Sequence, residues 1–283
     1  MTQAPSAYRA YRDWVTTPLT VPPVVSVVIP AYNEEWRILP TIGAIATHMS
    51  ARGEPWELVV SDDGSTDTTL SLVRDLRFAN LRLLVADRNG GKGSAVRRGM
   101  LAARCGRVLF ADADQSTPIE QYDRLSALVD DGYDVVVGSR SADGSQVSGR
   151  SVTRRALSRG LKTVVRGFGI SVSDTQCGFK LFTRDAARTL FSTQIVDGFS
   201  FDLEVLYLAG RRGYRIAEVP VEWIDAPGST VDATKVSLQF VRDLGRVRLN
   251  QARGLYAPGR RAPGPGPGPG PVPAPSVPAG GSS

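Results

Sequence analysis

Three short stretches in the first half of the chain combine residue types able to hold a charged ligand, and each follows directly on an apolar run. In Val108-Leu-Phe-Ala-Asp112-Ala-Asp114-Gln115, two carboxylates stand one residue apart. Ligands of α/β sheets sit at the carboxyl ends of the strands. A carboxylate pair there can grip a hard divalent cation, and the cation can grip a diphosphate. Alone, the triplet also fits a strand ending in an acidic turn. In Pro30-Ala-Tyr32-Asn33-Glu34, Tyr32 offers a flat face for stacking. In Asp62-Asp-Gly-Ser-Thr-Asp67, Asp62 can accept a hydrogen bond from the imide N–H of a uracil or guanine ring. Taken together, the three stretches describe a pocket for a nucleoside diphosphate.

A fourth stretch, Asn89-Gly-Gly-Lys92-Gly-Ser94, matches neither the GxxxxGK[ST] nor the GxGxxG spacing. A loop that opens a helix can still face an anion, with Lys92 nearby. A plain turn is the alternative. The lone His48 falls late in a helical pattern and reads as structural.

The elements that must position these residues follow from periodicity. Short apolar runs, the first of them rich in β-branched residues, predict strands over Val24–Ile29, Trp56–Val60, Leu81–Val85, Val108–Ala111 and Tyr133–Val137. Helical spacing fills the gaps over Glu35–Ser50, from Thr66 or Asp67 through Leu76, over Ala95–Cys105 and over Ile119–Asp130. This order predicts an α/β fold, a mostly parallel central sheet with helices on both faces.

Beyond Arg140 the pattern changes. Ser141–Gly149 reads as a loop, and Thr153–Phe168 and Ala233–Gln251 as basic amphipathic helices. Asp174–Phe182 is a loop-to-strand segment, followed by helices over Asp185–Phe191 and from Phe201 through Leu208. Tyr214–Trp223 is an extended strand interrupted at Pro220, suited to a sheet edge or bulge. Three segments result: a loosely attached leader (residues 1–23, with one helical turn around Tyr8–Trp14), an α/β domain (24–256) and a Pro/Gly-rich tail (257–283). The tail has too little apolar bulk to offset the entropy of ordering and is predicted to be disordered.

Composition narrows the function. With 42% hydrophobic and 22% charged residues the 283-residue chain is of ordinary globular type. Cys105 and Cys177 lie far apart and suggest neither a zinc site nor a disulfide framework, which fits a reduced cytosolic setting. No signal peptide is visible, and no apolar run approaches the ~20 residues of a spanning helix, so a soluble or peripheral protein is expected. A net charge of +6 suits phosphates or an anionic membrane face. Nucleic acid is disfavoured, because no nucleic-acid module or aromatic-basic strip is present.

The motifs Pro30-Ala-Tyr-Asn-Glu34, Asp62-Asp-Gly-Ser-Thr-Asp67 and Asp112-Ala-Asp114 resemble the nucleotide-binding motifs of family 2 glycosyltransferases, which have the GT-A (nucleotide-diphospho-sugar transferase) fold. The resemblance covers Val24 to Leu249. Within that family, Gly138-Ser-Arg140, Thr175-Gln-Cys-Gly-Phe-Lys-Leu-Phe182, Phe201-Asp-x-Glu204 and Glu218-Val-Pro-Val-Glu-Trp223 are most similar to dolichyl-phosphate β-glucosyltransferases, with dolichyl-phosphate mannose synthases close by. The resemblance implies inverting transfer of a hexose from a nucleotide sugar, UDP-glucose, to a polyprenyl or dolichyl phosphate on the cytoplasmic face of a membrane. By motif, Pro30, Tyr32, Glu34, Val60 and Asp62 would hold the nucleoside, with Lys92 and Ala113 beside them in the donor site. Asp112 and Asp114 would bind Mg2+ or Mn2+, Gln115 would add an oxygen at the metal's edge, and Arg140 would lie near the diphosphate or the acceptor phosphate. Two departures stand out: the chain shows no membrane-spanning segment, and Thr230 replaces a lysine frequent after Gly-Ser, with Lys235 a possible substitute.

The chemistry of the acceptor separates the remaining readings. A phosphate acceptor is already an anionic nucleophile and needs cations to position it, for which Arg140, Arg154, Arg155 and Lys180 are candidates. A hydroxyl acceptor wants a carboxylate base. Asp202 is then the candidate, with a helix N-cap as its alternative role. Asp114, Arg140 and Asp202 form the expected catalytic set. The competing readings are a GDP-mannose-dependent mannose synthase, a soluble hydroxyl-directed transferase and a non-catalytic nucleotide- or lipid-binding scaffold. Oligomeric state is not legible.

Overall fold

The computed structural model describes residues 6–140, 142, 145–147, 170, 172–224 and 233–256. Arg154, Arg155, the basic helix expected over 153–168, the Thr230 position and the 257–283 tail lie outside the described residues.

The strands are β1 (Val25–Ala31), β2 (Trp56–Asp62), β3 (Leu81–Val85), β4 (Arg107–Ala111), β5 (Val135–Ser139), β7 (Phe179–Thr183) and β8 (Ile216–Pro220). They form one seven-stranded sheet in the order β3-β2-β1-β4-β7-β5-β8. All neighbours run parallel except β7, which lies antiparallel between β4 and β5. Two short strands, β6 (Gln146–Val147) and β9 (Glu222–Trp223), pair separately in parallel. Pro220 closes β8 on the sheet's edge, where a missing N–H costs no ladder bond.

Period-two alternation sends neighbouring side chains to opposite faces. Val27, Ile29, Leu58, Val60 and Leu109 enter one core layer, whereas Val28, Val59, Val108 and Phe110 enter the other. The first layer is covered by helices α2 (Ile38–Ala51), α3 (Thr69–Leu76) and α5 (Tyr122–Asp130). The second is covered by α4 (Lys92–Ala102), α6 (Arg184–Thr193), α7 (Phe201–Arg211) and the C-terminal α8 (Ala233–Ala252). Both faces are therefore covered, as expected.

One expectation is corrected. The described part of the leader carries an eleven-residue helix, α1 (Ser6–Thr16), and that helix is docked. Trp14 is buried and stacks on Trp56 with centroids 4.1 Å apart, and its indole N–H donates to the Trp56 carbonyl at 3.0 Å. Tyr11 and Trp14 both reach Phe78, an apolar stripe at helical spacing that outweighs the prolines read as loosening the segment. The basic amphipathic helix read over Ala233–Gln251 is α8. Its Leu244 and Val247 are buried in the second core layer, so this part of its apolar face is spent on packing.

Candidate functional site

The carboxyl ends of β1, β2, β4 and β5 meet on one rim, and hydrogen bonds between their loops fix the predicted residues. After β1, the Asn33 amide donates to Ser65 Oγ at 3.0 Å, and Asn33 Oδ1 accepts the Thr66 amide at 2.9 Å. The Glu34 amide donates to Thr69 Oγ1 at 2.8 Å. These bonds stitch the Pro-x-Tyr-x-Glu loop to the Asp-Asp-Gly-Ser turn and leave Tyr32 exposed at 41%. Pro30 and Val60 are buried in adjoining strands, so what they offer a ligand is mainly backbone. Glu34 pairs with Arg37 at 2.7 Å, and burial raises its carboxyl above the usual range.

Asp62 is 1% exposed and caps its own turn. Its Oδ1 accepts the Gly64 and Ser65 amides, both at 3.1 Å, and its Oδ2 accepts the Ser65 hydroxyl. Asp63, which sequence reasoning passed over, braces the neighbouring glycine loop. Its Oδ2 accepts the Gly90 amide at 3.0 Å and the Gly91 amide at 2.7 Å. Gly91 has φ of +98° and lies so near Asp197 that a Cβ would stand 2.5 Å from its carbonyl oxygen. Only glycine fits there, and α4 consequently begins at Lys92, three residues before the expected start.

Lys92 thereby reaches the acidic triplet. Its ammonium lies 2.7 Å from Asp112 Oδ1 and 5.7 Å from the ring centroids of Phe110 and Phe199. Burial works to lower its pKa, but Asp112 and Asp202 overcome this, and the net shift is upward. Thr41 Oγ1 donates to the Ala113 carbonyl at 2.6 Å, Asp114 Oδ1 accepts the Ser116 amide at 2.9 Å, and Gln115 takes φ of +51°. The turn is thus held in a conformation that presents both carboxylates to one cavity.

That cavity, of about 170 Å3, is lined by Asp112, Asp114, Ser116, Thr117, Arg140, Gln176, Gly178 and Trp223. Arg140 is clamped by Asp174: Nε and Nη2 donate to its two carboxylate oxygens, each at 2.8 Å, and the Arg140 amide adds a third bond at 2.9 Å. Burial works against the Asp174 carboxylate, but the guanidinium prevails and holds its pKa down at about 2. The Arg140 guanidinium also lies 5.6 Å from the Trp223 ring centroid. Asp174, Gly178 and Trp223 had been quoted only as parts of motifs, without roles. Asp63, immediately after Asp62, was the one visible signal among the unassigned residues.

Two predicted residues sit elsewhere. Lys180 is 1% exposed, donates to the Cys177 carbonyl and pairs with Asp202 at 2.7 Å. It lies beneath the site, where it neutralises a buried carboxylate and does not line the cavity, because its β7 position points it into the sheet-to-α7 layer. Asp202 is no N-cap, since Ser200 holds that position. Burial raises its carboxyl, against the pull of Lys180.

A hard divalent cation fits the donor set. Asp112 and Asp114 line one cavity as a pair of oxygen donors, and they would hold a Mg2+ or Mn2+ ion whose remaining ligands would be phosphate oxygens and water. Among the described residues no group of three or more His, Cys, Asp or Glu side chains forms a fuller cage.

A mostly parallel seven-stranded sheet with helices on both faces, carrying the Pro-x-Tyr-x-Glu loop and the acidic triplet at its strand ends, is the architecture of the GT-A glycosyltransferase class. Residues 26–191 match the family described as Glycosyl transferase family 2. Over 248 residues the chain is 35% identical to a dolichyl-phosphate beta-glucosyltransferase of Dictyostelium discoideum, covering 82% of this chain and 76% of that relative. It is 38% identical over 239 residues to the protein of the same name from Drosophila melanogaster, covering 78% and 73%. The fold is shared with glucosyl-3-phosphoglycerate synthase from Mycobacterium tuberculosis, solved with Mn2+, uridine-diphosphate and glucosyl-3-phosphoglycerate (TM-score 0.61, 21% identity, 87% and 86% covered). It is shared also with mannosyl-3-phosphoglycerate synthase from Rubrobacter xylanophilus (TM-score 0.63, 19% identity, 92% and 82% covered). The chain belongs to glycosyl transferase family 2 and is a glycosyltransferase.

Proposed function

We propose that this enzyme transfers glucose from UDP-glucose to a polyprenyl (dolichyl) phosphate, with inversion and with the aid of Mg2+ or Mn2+. The observation that carries the reading is the agreement between the site and the relatives named dolichyl-phosphate beta-glucosyltransferase: one cavity holds an acidic pair beside an anchored arginine. The work is peripheral, at the cytoplasmic face of a membrane, where such an acceptor presents its phosphate. Among the described residues no helix is long and apolar enough to cross a membrane.

Tyr32 stacks on the uracil, and the turn capped by Asp62 meets its edge. Asp112 and Asp114 hold the divalent cation, which supplies charge stabilisation to the departing diphosphate. Lys92, the counter-ion of Asp112, adds positive charge on the same side. Arg140 uses two N–H groups on Asp174 and keeps the rest of its fork for phosphate. The acceptor phosphate is already ionised, so its oxygen attacks the anomeric carbon without a proton transfer. Arg154 and Arg155 are retained as acceptor contacts.

The hydroxyl-acceptor reading needs a free base, and Asp202 is buried with one oxygen occupied by Lys180. The deciding experiment incubates the pure protein with UDP- and GDP-sugars, a polyprenyl phosphate and Mn2+, and measures lipid-linked product. Glucosyl product from UDP-glucose is expected. No lipid-linked product with any donor would reject the proposal, and product from GDP-mannose alone would reassign the sugar.

A further inference from the structure

Arg140 owes its place to a carboxylate that never touches the cavity. Glu218, half-buried on β8, faces Val137 in the β5–β8 register, three residues before Arg140. Both of its oxygens accept the Ser173 amide, at 3.1 and 3.0 Å. Its Oε1 also accepts the Ser173 hydroxyl at 2.5 Å and the Asp174 amide at 3.0 Å. Asp174, so held, clamps Arg140 through three hydrogen bonds. Five residues further along the same segment, the Trp223 ring centroid lies 5.6 Å from the guanidinium carbon.

We propose that Glu218 is a positioning residue, acting through Asp174 to fix the Arg140 guanidinium at the cavity and thereby setting the affinity for the acceptor's phosphate. The inference rests on the acceptor proposed above. Its physical basis is that a long arginine side chain loses phosphate affinity when its orientation must be fixed anew at each binding event. Glu218 supplies that orientation in advance. A carboxylate suits the task because the Ser173 amide and hydroxyl and the Asp174 amide all donate to it, and an amide in its place would turn an N–H2 toward at least one of these donors. The acidic pair lies in the loop after β4 and makes no hydrogen bond within this chain of contacts, so Glu218 should act on the acceptor's affinity and leave the donor's in place.

The test compares wild type, Glu218→Gln, Arg140→Ala and the double variant, each loaded with Mn2+ and UDP and titrated calorimetrically with farnesyl phosphate. Glu218→Gln should weaken farnesyl phosphate about tenfold or more while leaving UDP affinity unchanged. In the Arg140→Ala background the same change should have no further effect, because the path through Arg140 is already cut. Equal acceptor affinity in wild type and Glu218→Gln overturns the inference, as does a parallel loss of UDP affinity or an undiminished effect in the Arg140→Ala background. A wild-type protein that takes no farnesyl phosphate overturns the acceptor reading and this inference with it.

Discussion

Gly178→Ala tests the proposed metal site without changing either of the proposed ligands. The Cβ would stand 1.8 Å from Asp112 Oδ2, 2.2 Å from its Cγ and 2.7 Å from Oδ1. Ordinary contact begins near 3.4 Å, so the carboxylate must retreat by about 1.5 Å. The backbones cannot separate to make room. The Asp112 amide donates to the Gly178 carbonyl at 2.9 Å, and the β4–β7 ladder continues from Ala111 and Phe179. Rotation of the Asp112 side chain is the remaining route, and it carries Oδ1 away from Lys92 and the carboxylate out of line with Asp114. Overpacking of this kind costs about 1–3 kcal/mol of stability, which lowers Tm by a few degrees in a domain of this size. Loss of metal affinity should exceed that. Disturbing even a ligand's supporting partner costs about 10- to 100-fold. The assay is calorimetric titration of Mn2+ into protein with UDP, alongside the Mn2+ dependence of product formation. Wild-type Mn2+ affinity in a folded Gly178→Ala protein would refute the assignment of Asp112.

Acid should reveal the clamp on Arg140. Asp174, with its pKa brought from 3.8 to about 2, contributes about 2 kcal/mol that is fully present above pH 4 and lost as pH falls through 2. Urea unfolding of wild type should therefore weaken more steeply over that window than that of Asp174→Asn, and equal slopes would refute the pairing. Lys180→Met strands Asp202 in the core and should cost about 3–5 kcal/mol by chemical denaturation. Lys180→Met combined with Asp202→Leu should recover most of that loss, and a double variant less stable than the single would contradict it. Asp63→Ala frees the Gly90 and Gly91 amides; losing bonds to a charged acceptor should raise the donor's KM about tenfold or more, and an unchanged KM would show that the glycine loop holds without this brace.

The local signals were legible because they are short-range. Apolar runs ending in Asp62 and Asp112 report strands whose carboxyl ends carry acid, and the alternation of β and α segments dictates that those ends share a rim. What stayed hidden depends on pairs far apart in the chain. Lys180 and Asp202 attract each other under the sheet, 22 residues apart, and a lysine next to a phosphate-handling motif reads from sequence as a phosphate ligand. Glu218 lies 45 residues from Ser173, and its purpose exists only once β8 lies beside β5. Trp14 looked like part of a loose leader until Trp56 was in place to stack on it.

By itself, then, the order of residues determined the kind of sheet, the rim where the motif residues gather and the pair of carboxylates offered there, since each follows from backbone periodicity and neighbouring side chains. Tertiary structure decided which charges reach the cavity and which cancel one another below it. The reason is that a charge's role depends on its nearest opposite charge and on its distance from water, and chain folding alone sets both.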